Sequence, residues 1–237
     1  MAEHYRTKGV VFKKEDRAEA NRSFSVFTED YGRLEILGKA IRKINSKLRG
    51  GIDLFSLSEI EFIQGKNNKT LTDAISIKKF SADDNLKKIK IANQISGVMD
   101  NFLKGQEKDA ETFDLIKEIF LILDGQSTKN QSFIYFYFLW NFLALQGYKS
   151  EVNACAVCKE KLNPYGVYFS NKEGGVICKK CFRLDPKSQK INSDIVKILR
   201  LIFKKEWQIL SKLKVEKKSF EEFAQMSEDY YLYVLPK

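Results

Sequence analysis

The chain has 237 residues, 43% hydrophobic and 30% charged, with 13 glycines and 3 prolines. These values exclude a wholly disordered chain and a collagen-like or proline-rich repeat, and they suit two compact units or one elaborated domain. With 41 basic against 31 acidic side chains, the net charge of +10 favours a polyanionic partner, and the single histidine, His4 at the start of the chain, argues against serine–histidine–aspartate or histidine-rich metal catalysis.

The opening residues contain no apolar signal core, so a cytoplasmic protein is expected. From Tyr5 to Phe80 the pattern is that of short strands separated by polar turns. Strands are predicted at Tyr5 to Lys14, Arg22 to Thr28 and Arg33 to Ala40, the last with Leu34 and Ile36 on one face. In a fourth, Phe55 and Leu57 share one parity and Ile60 and Phe62 the other, so a bulge near Ser58 is expected. Leu71, Ile75 and Ile77 mark a fifth. Five short strands in about 75 residues suit a small barrel such as the OB-fold, with a generic β-sandwich as the alternative.

After Ser81 to Asp84, whose aspartates suit a helix cap, the period changes to 3.6. Leu86, Ile89, Ile91, Ile95, Met99 and Leu103 mark one helix, and Ala110 to Leu123, stopped by Gly125, a second. Phe133 to Leu145 forms a third, apolar on nearly all sides and therefore central, and Gly147 ends it. That stretch is shorter than the roughly 20 apolar residues a bilayer requires, so no membrane association is expected. A fourth helix is predicted over Ile191 to Leu213 and a short one near Phe220 to Met226.

All four cysteines lie in one segment: Cys155-Ala-Val-Cys158, 19 residues, then Cys178-Lys-Lys-Cys181. The two-residue gaps let both sulfurs of a knuckle reach one ion, and two knuckles complete a tetrahedral site. Gly166 to Phe169 and Gly175 to Ile177 are β-prone, with a turn over Asn171 to Gly175 between them, as in a zinc ribbon. Four thiolates leave no open coordination position, so one structural zinc is the expectation. Cadmium or iron also suits such a site, and a redox role for the CxxC pairs is the alternative, although no thioredoxin-like βαβ pattern surrounds them.

Residues 38–51 contain Lys39, Arg42, Lys43, Lys47 and Arg49 and no acid. Such a loop on an OB-like barrel suits phosphate contact, because each neutralised phosphate releases a condensed counterion. Arg22 and Arg33 are added as binding candidates, and Arg6, Lys8, Lys13, Lys14 and Arg17 extend the track. Aromatic residues interleave here (Tyr5, Phe12, Phe24, Phe27, Tyr31 and Phe55), suited either to stacking on bases or to filling the barrel. The expected architecture is an α+β multidomain protein. An OB-fold domain for nucleic acid occupies residues 1–80, and a helical domain over 81–237 carries the inserted zinc-ribbon-like segment at 152–184.

Gly9-Val-Val-Phe-Lys13, Glu19 to Thr28, Tyr31-Gly32, Gly38-Lys-Ala and Arg42-Lys43 with Ser46 resemble the N-terminal domain of the bacterial RecO family of DNA repair proteins. Leu143 to Tyr148, a short spacer and the four cysteines are also similar to that family. The chain departs from it at Gly38-Lys39-Ala40, where alanine, lysine, glycine is the commoner order, and at Lys149, where proline is common. The resemblance implies a non-enzymatic recombination mediator of the RecF pathway that binds single- and double-stranded DNA, at the nucleoid, with no small-molecule substrate. It also implies annealing of strands coated with single-strand-binding protein, through contact with that protein's C-terminal tail, and cooperation with RecR in loading RecA. Since some members lack the cysteines, it implies a zinc that supports the fold. Short of the resemblance, an RNA-binding OB and zinc-ribbon protein is the other reading of the same residues.

Overall fold

Alternating apolar and polar residues in the first 80 positions close on themselves. The computed structural model describes residues 3–80, 85–125 and 131–236. Its first five strands are β1 (His4–Arg17), β2 (Asn21–Thr28), β3 (Gly32–Gly38), β4 (Ser56–Gln64) and β5 (Lys69–Lys79). They form a closed barrel in the order β1-β2-β3-β5-β4. Neighbours are antiparallel except β3 and β5, where Ile36 and Leu37 pair in parallel with Lys69 and Thr70. Closure leaves no open sheet edge, and the order is that of the expected OB-fold. The interior is filled by Val11, Phe24, Val26, Leu34, Ile36, Ile60, Phe62 and Leu71, with Ile41 and Ile52 contributed by the β3–β4 connection. Full burial of such side chains stabilises by about 1.5–3 kcal/mol each.

The slip expected within the fourth strand occurs on its neighbour. Ser56, Ser58, Ile60 and Phe62 alternate inward along β4 without a break. The register step near Ser58 arises because Leu57 faces Lys78 while Ser58 faces Ser76, leaving Ile77 of β5 as the extra residue. A second step skips Thr72, between the Glu61–Asp73 and Phe62–Leu71 pairs. Inward serines are tolerated because Ser56 Oγ donates to the Asp53 carbonyl at 2.6 Å and lies 3.2 Å from Ser58 Oγ. Phe55, whose parity suggests the slip, precedes β4 in a left-handed conformation (φ 55°). The bulges also turn Ile75 and Ile77 outward, half-exposed.

Two helices follow, α1 (Leu86–Phe102) and α2 (Ala110–Asp124). Asn85 caps α1 by accepting from the Lys87 and Lys88 N–H groups, and Asp109 caps α2 by accepting from Thr112 at 2.9 Å. The aspartates at 83 and 84, read as caps, lie outside the described residues. In space the chain separates into compact units over 1–126 and 127–237, so α1 and α2 belong with the barrel. The Phe55 and Phe80 rings lie 5.6 Å and 4.9 Å from the Phe120 ring of α2, which ties these helices to the strands.

The second unit is built on α3 (Ser132–Leu143), buried at every position from Phe133 to Leu143. It ends in one π-helical turn over Ala144–Tyr148, where Gly147 adopts φ 90°, a conformation only glycine takes at little cost. A three-stranded sheet follows, β6 (Val167–Ser170), β7 (Gly175–Cys178) and β8 (Gln189–Ile191), in the order β7-β6-β8. The helix expected over Ile191 to Leu213 is broken into α4 (Ser193–Phe203) and the single turn α5 (Trp207–Leu210). Lys205 is left-handed at φ 57°, and Lys205 N–H to Ile202 and Glu206 N–H to Leu201 complete a Schellman stop without glycine.

The last helix, expected only near Phe220 to Met226, is α6 (Lys217–Val234). Its buried Phe223, Met226, Ser227, Tyr230 and Val234 continue the helical period through the aromatic tail. The Trp140 ring of α3 stacks on Tyr230 at 5.2 Å, and its indole N–H donates to Ser227 Oγ at 3.0 Å. Among the described residues, no helix is long and apolar enough to cross a membrane.

Candidate nucleic-acid interface and metal centre

The basic loop is held rigidly at both ends. Beyond β3, the Ala40 N–H donates to Asn21 Oδ1 at 2.9 Å and the Arg42 N–H to the Ala20 carbonyl at 3.0 Å, while Ile41 enters the barrel core between them. A 3₁₀ turn over Lys47–Gly50 follows, and Ile52 returns to the core. Gly51 lets the chain pass against β5: a Cβ there would lie 1.8 Å from the Ala74 carbonyl oxygen. Anchored in this way, Lys39, Arg42, Lys43, Lys47 and Arg49 are all exposed.

The loop forms one wall of a cleft of about 790 Å³, whose lining brings together Arg22, Arg42 and Arg49 with Lys14 and Lys79. Lys79 escapes a reading of the sequence because it lies at the far end of β5, thirty residues beyond Arg49. Lys39, Lys43 and Lys47 belong to the loop but do not line the cleft. Asp16 accepts from Arg22 Nε at 2.7 Å and lies 3.5 Å from Arg42 Nε, and Asp53 accepts from Lys14 at 2.6 Å. The bond from Arg22 holds Asp16 below the usual carboxylate range; burial would raise Asp53, but the bonds from Lys14 and the Leu54 N–H outweigh it. Arg49 and Lys79, by contrast, have no ion-pair partner among the described residues.

Arg33 is not part of this surface. Its side chain is only 15% exposed; it donates to Asp100 Oδ1 at 2.7 Å, to the carbonyls of Asp100 and Leu103, and to Glu35, with its guanidinium 5.3 Å from the Phe12 ring centre. It fastens β3 to α1, and its acceptors are 67 and 70 residues away in sequence, beyond what a local pattern conveys. The aromatic residues are buried rather than set along the cleft: Phe24 fills the barrel, Phe55 packs on Phe120 of α2, and Phe12 and Phe27 are buried outside the barrel core. Tyr5 stacks on Phe62 at 5.4 Å, and Tyr31 meets the same ring edge-on at 6.0 Å. Only Phe24 of this set touches the cleft.

The cysteines converge as their spacing requires. Their four sulfurs lie within 4.8 Å of one another, with Cys158 and Cys178 Sγ 3.9 Å apart. A tetrahedral ion with metal–sulfur bonds of about 2.3 Å separates its ligands by ~3.8 Å, so the group fits one metal ion. The first knuckle is shaped by Lys159 in the left-handed region (φ 61°) and by its N–H bond to the Cys155 carbonyl at 2.9 Å. The second passes from the end of β7 into a 3₁₀ turn over Cys181–Leu184. Burial pushes the Cys155 thiol up, but N–H groups of Cys158, Cys178 and Val157 aimed at its sulfur prevail and bring it down to about 6. Burial, with hydrogen bonds from the neighbouring thiols, drives Cys181 up to about 12, and a bound metal would take its ligands as thiolates. The ribbon rests on its own unit: the Phe169 ring lies 5.7 Å from Trp140, and Arg200 donates to the Val152 carbonyl at 2.9 Å.

Comparison with known families places both halves of the chain. Residues 1–80 match the model described as recombination protein O N terminal, and residues 84–237 match recombination protein O C terminal. The chain belongs to the recombination protein O family. A protein named DNA repair protein RecO from Dehalococcoides mccartyi (strain BAV1) is 30% identical over 219 residues, 92% of this chain and 85% of that protein. The RecO protein of Caldanaerobacter subterraneus is 25% identical over 89% of this chain and 84% of its own length, and that of Halalkalibacterium halodurans 24% over 96% and 88%. The two RecO models meet between residues 80 and 84, before α1, whereas the compact units part at 126.

Proposed function

We propose that this RecO-family chain is a non-enzymatic recombination mediator that binds single- and double-stranded DNA through phosphates, with residues 1–80 as the nucleic-acid-binding domain. The observation that carries the reading is the gathering of Arg22, Arg42, Arg49, Lys14 and Lys79 around one cleft of the closed barrel. Lys39, Lys43 and Lys47 extend the same positive loop. A surface of this kind fixes the backbone and leaves base edges unread, as the pairing of complementary strands requires. On this reading the protein anneals strands coated with single-strand-binding protein, docks that protein's C-terminal tail, and assists RecR in loading RecA in the cytoplasm at the nucleoid. Cys155, Cys158, Cys178 and Cys181 hold one structural zinc, which pins the ribbon and takes no part in the reaction.

Replacing Lys39, Arg42 and Lys43 together with glutamate is expected to weaken binding to DNA of every sequence. On single strands the salt slope should fall by about 0.7 for each phosphate that is no longer neutralised. Unchanged affinity and slope would refute the assignment. An annealing assay on coated complementary strands, with RNA strands of matched sequence as a second arm, tests the remainder, because only RNA offers the 2′-hydroxyl.

A further inference from the structure

The pleat of the β1–β2 hairpin sorts its charged side chains onto two faces. Strand partners point to the same side of a ribbon and consecutive residues to opposite sides. The pairs Lys14–Phe24 and Asp16–Arg22 therefore share one face, and Lys13–Ser25, Glu15–Ser23 and Arg17–Asn21 share the other. The first face looks into the cleft walled by the basic loop. The second forms the floor of another cleft, of about 740 Å³, walled by Arg33, Glu35 and Leu37 of β3 and by Asn68 and Lys69 at the start of β5. In an OB-fold, the outer face of strands 2 and 3 together with the β1–β2 and β4–β5 loops is the usual seat of an oligonucleotide.

The two clefts match in size and in sign. The first carries five cations against Asp53, and the second carries Lys13, Arg17, Arg33, Lys69 and Lys104 against Glu15 and Glu35. Not all of these charges are available: Arg33 is consumed by α1, and Lys13 and Arg17 pair with Glu15 at 3.0 Å and 2.9 Å. Lys69 and Lys104 form no ion pair among the described residues, as is true of Arg49 and Lys79 in the first cleft. Among the described residues, each cleft thus keeps two cations with no carboxylate partner, Lys104 also donating to the Asp100 carbonyl at 2.6 Å, and neither cleft exposes an aromatic ring that would grip a base.

We infer that the β1–β2 hairpin is a divider between two phosphate-binding clefts, so that one chain holds two nucleic-acid strands at once, one on each face. The inference rests on the DNA-binding reading above and adds a stoichiometry to it. Both strands would lie against one two-stranded ribbon with their bases unclaimed, which is the arrangement two complementary strands need to meet.

The test uses the full chain at low salt with short oligothymidylates, which cannot pair with one another, half carrying a donor dye and half an acceptor. Wild type should bind two strands per chain and show energy transfer. The pair Arg49→Glu and Lys79→Glu empties the first cleft, and Lys69→Glu and Lys104→Glu the second; each variant should bind one strand per chain and lose the transfer. Retention of one strand reports that a variant is folded, and glutamine at the same positions serves if glutamate lowers the melting temperature. One strand per wild-type chain, or loss of all binding in either folded variant, means that a single strand wraps the hairpin, and overturns the inference while leaving DNA binding intact. No binding by wild type would instead overturn the DNA-binding reading itself.

Discussion

Arg33 and Arg42 carry the same permanent charge and end in different surroundings. The Arg42 side chain is exposed at the mouth of a cleft, whereas Arg33 is enclosed by Asp100, Glu35 and two carbonyls. Arg33→Ala is therefore expected to act on the fold: loss of its charged hydrogen bonds should lower stability in urea by about 2–3 kcal/mol, with the salt slope of DNA binding unchanged. Its partner supplies a pH signature. Burial would raise the Asp100 carboxyl, but bonds from Lys13 and Arg33 outweigh it and hold the group below its ordinary 3.8. A depressed carboxylate contributes stability that is complete above the ordinary value and lost as pH falls through the folded one. The stability gap between wild type and Asp100→Asn should accordingly stay constant above about pH 5 and narrow below 3.8; a gap that widens in acid would contradict the assignment.

Among the elements, the basic loop and the fifth strand show what patterning conveys and what it misses. Ile41 and Ile52 are ordinary apolar residues in sequence, yet they pin a cationic loop to the core. Gly51→Ala should displace that loop, since its new methyl group would overlap the Ala74 carbonyl. DNA affinity should drop together with a loss of stability, read by titration and by urea melting of the same sample, whereas Gly50→Ala, with nothing near its Cβ position, should do neither. Parity assigns the bulges of β5 to β4 because Phe55 is buried without belonging to the strand. Similarly, α6 continues past Met226 because Tyr230 and Val234 keep the helical spacing, which the crowding of aromatic residues in the tail obscures.

For the molecule as a whole, the metal is expected to act within the unit over 127–237, where the buried cluster at the knuckles is only Cys155, Ile177 and Cys181 and the buried Phe169 of the ribbon packs on Trp140 instead. Stripping the metal with a chelator should make all four thiols reactive to alkylation and lower the melting temperature by about 2–4 °C for each kcal/mol of binding energy withdrawn. Thiols that react fully before chelation would remove the structural metal from the account.

The strands of the barrel, the central helix and the four-ligand knuckles were determined by sequence alone, because each depends on burial or reach repeated at intervals of two to four residues. Tertiary structure alone decided which cations are free, which strand carries the bulges, and that one hairpin has a basic cleft on either side. Those outcomes depend on partners such as Asp100, Lys79 and Lys69, brought alongside by strand pairing and helix packing from dozens of residues away, and no local period encodes a meeting of that kind.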